Sequence, residues 1–121
     1  MFGWFKRKPR AQPEARWVVG IEEALIRVTD PEGVSTTIPK SGLTAILIET
    51  NDSGPWGADV WWVLQGEEGS TACAFPMGAS GEDAALDYFC ALPCFDHEAM
   101  IRAMTSTGNA VFPVWRRAGG A

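Results

Sequence analysis

The clearest indication of the fold is the stretch GLTAILIETNDSGPWGADVWWVLQ, residues 42–65. Two nearly continuous apolar arms, residues 43–50 and 58–64, flank a polar connection that contains glycine and proline. This pattern is typical of a long β-hairpin. A hairpin with one face in water alternates apolar and polar residues, whereas a hairpin covered on both faces need not. We therefore expect this hairpin to lie at the centre of a small, β-rich core.

The second arm contains two adjacent tryptophans that must point to opposite faces of a strand. Trp62 shares its face with Val60 and Leu64, which are both apolar. Trp61 shares the other face with Asp59, so that face is mixed. We expect Trp62 to be buried in the core and Trp61 to be partly exposed.

The rest of the chain changes from a strand pattern to a helix pattern and back. Further strands are predicted over residues 16–21, 24–29, 34–38, 70–75 and 109–115. Two helices are predicted between the last two of these strands, with Ser80 and Asp96 as their N-caps. Pro113 restricts the final strand to a sheet edge or a bulge. A run of strands followed by helices indicates the α+β class, here a bent or barrel-like antiparallel sheet of about six to seven strands with two C-terminal helices packed against it.

The length of 121 residues fits one domain with charged segments at its ends. Residues 1–16 carry two prolines and clustered charge, and we expect a basic, flexible N-terminal tail. Residues 17–117 are predicted to form a single α+β domain. Residues 118–121 are predicted to be a flexible C-terminus.

The net charge of −5 is distributed unevenly along the chain. Residues 1–17 contain five cations and one carboxylate, a net charge of +4, whereas residues 18–115 contain three cations and fourteen carboxylates, a net charge of −11. An acidic body repels phosphate backbones, so the pattern argues against nucleic-acid binding by the folded domain.

Three cysteines without regular spacing do not indicate a disulfide framework, and a reducing compartment is the simpler interpretation. The sequence contains neither a membrane-spanning apolar run nor the apolar core of a signal peptide. We expect a cytoplasmic protein, with peripheral membrane association as an additional expectation.

The basic N-terminus begins with apolar residues and continues with cations. Such a segment can bind an anionic membrane surface weakly and reversibly. The alternative is a disordered tail, or a tail whose aromatic residues pack on the domain. The residues expected to contact a membrane are Phe2, Trp4, Phe5, Lys6, Arg7, Lys8 and Arg10.

One set of side chains could bind a metal. A tetrahedral zinc site would consist of Cys90, Cys94 and His97, with Cys73 as a fourth ligand. Core packing of Cys73 and Cys90 is the simpler interpretation, because free cysteine is among the most buried residue types. We favour core packing and expect no metal and no other cofactor.

Catalytic motifs are not visible, so the sequence favours a non-enzymatic protein. No recognised cysteine-hydrolase signature and no phosphate-binding glycine loop is present. The alternative is a small-ligand or enzymatic site between the sheet and the helices that uses Cys94, Asp96 and His97.

The favoured hypothesis is a small interaction module with an unidentified protein partner. Its expected contact surface is the connection at residues 53–57, with Asp52, Trp56, Asp59 and Trp61. Exposed aromatic residues favour interfaces, and an acidic body suits a basic partner. The alternative is that both tryptophans belong to the core.

Three segments also carry a resemblance. They are IETNDSGP at residues 48–55 with DVWWVL at residues 59–64, ALPCFD at residues 91–96 with AM at residues 103–104, and FPVW at residues 112–115. Together they resemble a group of small bacterial proteins of unknown function, over roughly residues 17–115. The resemblance implies no activity. Members of the group have glycine at the position of Cys94, which makes a shared metal role for this cysteine less plausible. A series of strands followed by a helix also resembles the pleckstrin-homology-like barrels found in bacteria.

Overall fold

Seven β-strands and two α-helices make up the described part of the computed structural model, which covers residues 16–54, 57–106 and 108–117. The side chains of residues 52–54, 57–59 and 68 lie outside this description. In chain order the elements are β1 (Val18–Ile21), β2 (Leu25–Thr29), β3 (Ser35–Pro39), β4 (Ala45–Gly54), β5 (Gly57–Gln65), β6 (Thr71–Pro76), α1 (Glu82–Cys90), α2 (His97–Met104) and β7 (Ala110–Arg116). The predicted α+β class is confirmed.

The strands form two antiparallel sheets. The first has the order β1-β2-β3, and the second has the order β6-β5-β4-β7. Strands β2 and β3 pack near β6, α1 packs on β1, and α2 packs on β7 and β4. The described strands close no barrel. Where the sequence predicts one bent or barrel-like sheet, the structure has two sheets that share one core.

The predicted long hairpin is present as β4 and β5, at the centre of the second sheet. Ile48 pairs with Trp62, and the pairing continues past an irregularity to Gly54 and Gly57. Residues 53, 54 and 57 therefore belong to strands rather than to a loop. The hairpin is longer and its connection shorter than the apolar pattern predicts.

The core lies on the inner face of the second sheet. Trp62 is fully buried, with its ring centroid 5.4 Å from that of Phe89 in α1 and 6.4 Å from that of Phe75 in β6. Such aromatic pairs contribute about 1 kcal/mol each beyond their burial. The indole N–H of Trp62 donates to a carboxylate oxygen of Glu82 at 3.2 Å. This hydrogen bond supplies the partner that a buried indole needs.

The connection before α1 joins the two sheets. The N–H of Val19 in β1 donates to the carbonyl of Ser80, and the N–H of Ser80 donates to the carbonyl of Trp17, both at 2.8 Å. The backbone of Ser80 is thus paired with β1, and the helix begins one residue later than predicted. The N-cap is Gly81, which has a φ of 89°. The prediction of Ser80 as the cap was wrong, because pairing with β1 holds its backbone.

The second helix and the last strand follow their sequence signals closely. The carboxylate of Asp96 accepts a hydrogen bond from the N–H of Ala99 at 2.9 Å, which confirms the predicted N-cap. The N–H of Asp96 donates to the carbonyl of Val114 at 2.7 Å and attaches the start of α2 to β7. Among the described strands β7 lies at the edge of its sheet, and its pairing with β4 is irregular next to Pro113, as the proline predicts.

Candidate interaction surface

The outer face of the second sheet carries two rows of mostly apolar residues that run across the strands. Residues opposite each other in an antiparallel pair point to the same face. One row is Pro113, Leu47, Val63 and Ala74, and the other is Val111, Glu49, Trp61 and Pro76. We call these eight residues the outer patch. It consists of seven apolar side chains around one carboxylate.

The outer patch is separate from the core. Val63 and Pro76 are buried, and Leu47, Trp61 and Ala74 are half-buried, yet none of them belongs to the core cluster or to the side chains packed against it. The patch opens to solvent at β7, where 53% of Val111 is exposed. The prediction that Trp62 is buried and Trp61 is partly exposed is confirmed.

Trp61 is held in place by a second tryptophan. Its ring meets that of Trp17 edge to face, with the centroids 5.3 Å apart and the planes at 89°. Trp17 also packs against the core, and its carbonyl accepts the hydrogen bond from Ser80. A tryptophan side chain has only two χ angles, and the ring of Trp17 already contacts that of Trp61. Trp61 therefore loses little conformational entropy when it binds a partner. The patch is therefore preorganised at its largest side chain.

A groove of about 210 Å³ continues from the outer patch between the two sheets. Trp17 lines the groove as well as touching Trp61, and so connects the two features. Val34, 59% exposed, and Asp30 lie on the side of the first sheet, and Ala72 lies on the side of β6. The surface is thus concave at one end and nearly flat at the other.

Among the four predicted contact residues, the structure describes the side chain of Trp61 alone. Trp61 is within the outer patch. Asp52 and Asp59 belong to β4 and β5, but their side chains are among those not described, and Trp56 also lies outside the described residues. The contribution of these three residues stays a prediction.

Sequence reasoning missed the wider patch. Alternation along the second arm places Val63 on the face of Trp61, but the nearly continuous apolar run of the first arm does not assign Leu47 to a face separate from the core. The signal was available in part, because Leu47 and Glu49 alternate with Ile46 and Ile48 along β4. The contributions of Val111 and Trp17 depend on sheet order and on a contact between distant segments.

The three cysteines and the histidine are distributed over different environments. Cys73 is buried in the core, Cys90 is partly buried and Cys94 is exposed. Burial raises the pKa of the Cys73 and Cys90 thiols, which disfavours their thiolate forms. His97 is exposed and lies edge to face with Phe95, with the ring centroids 4.9 Å apart. In the described part of the chain no group of three or more His, Cys, Asp or Glu side chains could hold a metal ion.

The alternative small-ligand or enzymatic site gains no support from this arrangement. The Asp96 side chain caps α2, and Cys94 is exposed with a φ of 65°. Neither residue lines the groove described above, and His97 does not line it either. A site for nucleophilic or acid–base chemistry requires such side chains to converge on a concave pocket.

The seven residues expected to contact a membrane, Phe2 to Arg10, lie outside the described residues. Within the described part, no helix is long and apolar enough to cross a membrane, since α1 has nine residues and α2 has eight.

Comparison with known proteins gives no match: no family model, no curated protein and no solved structure matches this chain. The resemblance to small bacterial proteins of unknown function and to pleckstrin-homology-like barrels therefore stays a prediction.

Proposed function

We propose that this protein is a non-enzymatic interaction module that binds a basic protein partner through the outer patch. The observation that supports this most strongly is the pair of cross-strand rows on the outer face. Their apolar side chains lie outside the core, and Trp61 among them is oriented by Trp17. Contiguous apolar surface that is rimmed by polar residues marks interaction sites more often than scattered exposed residues do.

Charge favours a basic partner over an acidic one. Glu49 is exposed between Val111 and Trp61, and it forms no ion pair with a described residue. The body around it is acidic, with a net charge of −11 over residues 18–115. A lysine or arginine beside an apolar anchor on the partner would complement both features, and the acidic body would accelerate the encounter.

The groove supplies a place for a projecting side chain of the partner. Binding energy in protein interfaces is concentrated in a few anchors that fill pockets. A groove of about 210 Å³ beside Trp17 can accept one such anchor while the flatter patch contacts its neighbours. We also propose that Asp52, Trp56 and Asp59 contribute to binding the same partner.

The test is affinity capture from the protein's own cells with matched surface variants. Val111→Lys places a cation at the open edge of the patch, where it repels a basic partner. Ile101→Lys makes the same change on α2 at a position with 59% exposure. We expect the native chain and Ile101→Lys to retain a common protein that Val111→Lys loses. Glu49→Gln should retain less of this protein than the native chain at low salt, and the difference should shrink as salt is raised. Equal retention by all four proteins would contradict the proposal.

A second proposed role is weak membrane contact through the N-terminus. It is supported by the apolar Phe2, Trp4 and Phe5, followed by four cations within five residues. Each cation near an anionic surface contributes about 1 kcal/mol. Sedimentation with vesicles of phosphatidylserine and phosphatidylcholine is expected to pellet the full chain but not a variant without residues 1–10. Equal pelleting of the two forms would refute this role, and it would leave the role of the outer patch unaffected.

A further inference from the structure

A second concave feature has a lining that shares no residue with the groove beside Trp17. A pocket of about 290 Å³ is formed where the end of α1, the residues after it and the end of β7 meet the turn Lys40–Gly42. Leu43, Leu92, Pro93 and Trp115 supply an apolar lining. The indole N–H of Trp115 donates to the carbonyl of Pro93 at 2.9 Å, which fixes the ring in the wall.

Two cations stand beside this lining. The ammonium of Lys40 lies 4.7 Å from the centroid of the Tyr88 ring, and the guanidinium of Arg117 lies 5.7 Å from that of Trp115. Arg117 is anchored by backbone: its Nε donates to the carbonyl of Leu43 at 2.8 Å and its Nη2 to that of Lys40 at 3.0 Å. Both cations are therefore held at the pocket by specific contacts.

Neither cation is neutralised by a described carboxylate. Among the described residues the single ion pair joins Arg27 to Glu22, and neither of these residues lines the pocket. An acidic chain with few cations thus places two of them at one apolar cavity without a counterion from the described residues. Like charges at one site repel each other, and an anion that binds between them relieves that repulsion.

We propose that this pocket binds a small organic carboxylate with an aromatic or branched apolar body. Two of the five N–H groups of Arg117 are used by backbone carbonyls, and the remaining three include adjacent Nη1 and Nη2 hydrogens that can grip a carboxylate with two hydrogen bonds. Lys40 provides the second charge, and the ring of Trp115 and the side chains of Leu43 and Leu92 contact the apolar body.

The shape of the pocket favours a small ligand. Its volume is close to the lower limit of small-molecule sites, roughly 300–1,000 Å³. A mostly apolar wall with a few convergent polar groups is typical of such sites. A phosphate would leave the apolar lining unused, whereas a compact carboxylate uses both the charges and the lining.

The proposal can be tested by titration with phenylacetate, followed by two-dimensional ¹⁵N NMR of the full chain. The reporter is the indole N–H signal of Trp115, which is identified with Trp115→Phe. We expect saturable shifts at this signal and at the amides around the pocket, with a dissociation constant in the millimolar range for so small a probe. 2-Phenylethanol, which has the same body without the charge, should bind at least about fivefold more weakly.

Variants separate the pocket from general binding. Lys40→Met keeps the alkyl stem and removes the charge, and it is expected to weaken phenylacetate binding about fivefold. Arg102→Met removes a cation from α2, outside the pocket lining, and should leave binding unchanged. Arg117→Gln is the second variant and removes the other cation of the pocket. Its amide spectrum shows whether β7 is still paired with β4.

Several outcomes would overturn the proposal. They are the absence of saturable shifts around Trp115, equal binding of the acid and the alcohol, or equal weakening by Lys40→Met and Arg102→Met. A further titration uses N-acetylglycyl-phenylalanine, a short peptide that carries a carboxylate and an aromatic ring at its C-terminus. Tighter binding of this peptide than of phenylacetate would refute the small-molecule assignment and indicate that the pocket takes the end of a polypeptide.

Discussion

Replacing Gly81 with alanine tests how the two sheets are joined. Gly81 has a φ of 89°, a region that residues with a Cβ rarely adopt. A Cβ built at this position would overlap the carbonyl oxygen of Val19 and lie 3.2 Å from its carbonyl carbon. The neighbour is backbone, so it cannot move aside as a flexible side chain could. We expect Gly81→Ala to displace β1 from the segment that precedes α1.

The expected loss of stability follows from the contacts that this displacement breaks. A positive φ costs a residue with a Cβ about 1 kcal/mol. Moving Val19 away weakens the two hydrogen bonds that pair Ser80 with β1, and each is worth about 1 kcal/mol net. The free energy of unfolding should therefore fall by about 3 kcal/mol, a large part of the 5–15 kcal/mol that is typical of small domains.

Urea unfolding of two control variants separates these contributions. Gly33 has a φ of 90° with nothing within 4 Å of a Cβ, so Gly33→Ala carries the conformational cost alone and should lose about 1 kcal/mol. Gly20 has neither a positive φ nor a close neighbour, and Gly20→Ala should change stability by less than about 0.5 kcal/mol. Equal losses for Gly81→Ala and Gly33→Ala would refute the proposed junction.

Two further predictions concern the core and the thiols. Glu82→Ala leaves the buried indole N–H of Trp62 without its acceptor, and it should lower the free energy of unfolding in urea by about 2 kcal/mol. The control Glu98→Ala changes an exposed residue in the first turn of α2 and should lower it by less than about 0.5 kcal/mol. Ellman's reagent should modify the exposed Cys94 of the native protein within the dead time of mixing. It should modify Cys73 only on unfolding, because Cys73 is buried and burial raises the pKa of its thiol. A fast reaction that persists in Cys94→Ser would contradict this prediction.

The elements whose signals are local could be predicted from sequence. Asp96 caps α2 because its carboxylate reaches the N–H of Ala99, a contact that needs only three residues of chain. Pro113 restricts β7 to an edge because proline has no N–H to donate, whatever the rest of the fold does. The separation of Trp61 from Trp62 follows from the alternation of any strand.

The elements that depend on distant segments could not be predicted. Ser80 has the side chain of an N-cap, but its backbone pairs with β1, some sixty residues earlier, and the cap moves to Gly81. The cationic pocket brings together Lys40 and Arg117 from the turn after β3 and the end of β7. No periodicity within a window of ten to twenty residues carries that information.

Site-specific photocrosslinking in the protein's own cells tests whether the outer patch is a protein-binding surface. A benzophenone amino acid replaces Val111 at the open edge of the patch or Ile101 on α2, two positions of similar exposure. We expect one discrete crosslinked product at position 111, lost when Glu49→Lys reverses the charge of the patch, and no such product at position 101. No product at position 111, or the same product at both positions, would contradict it.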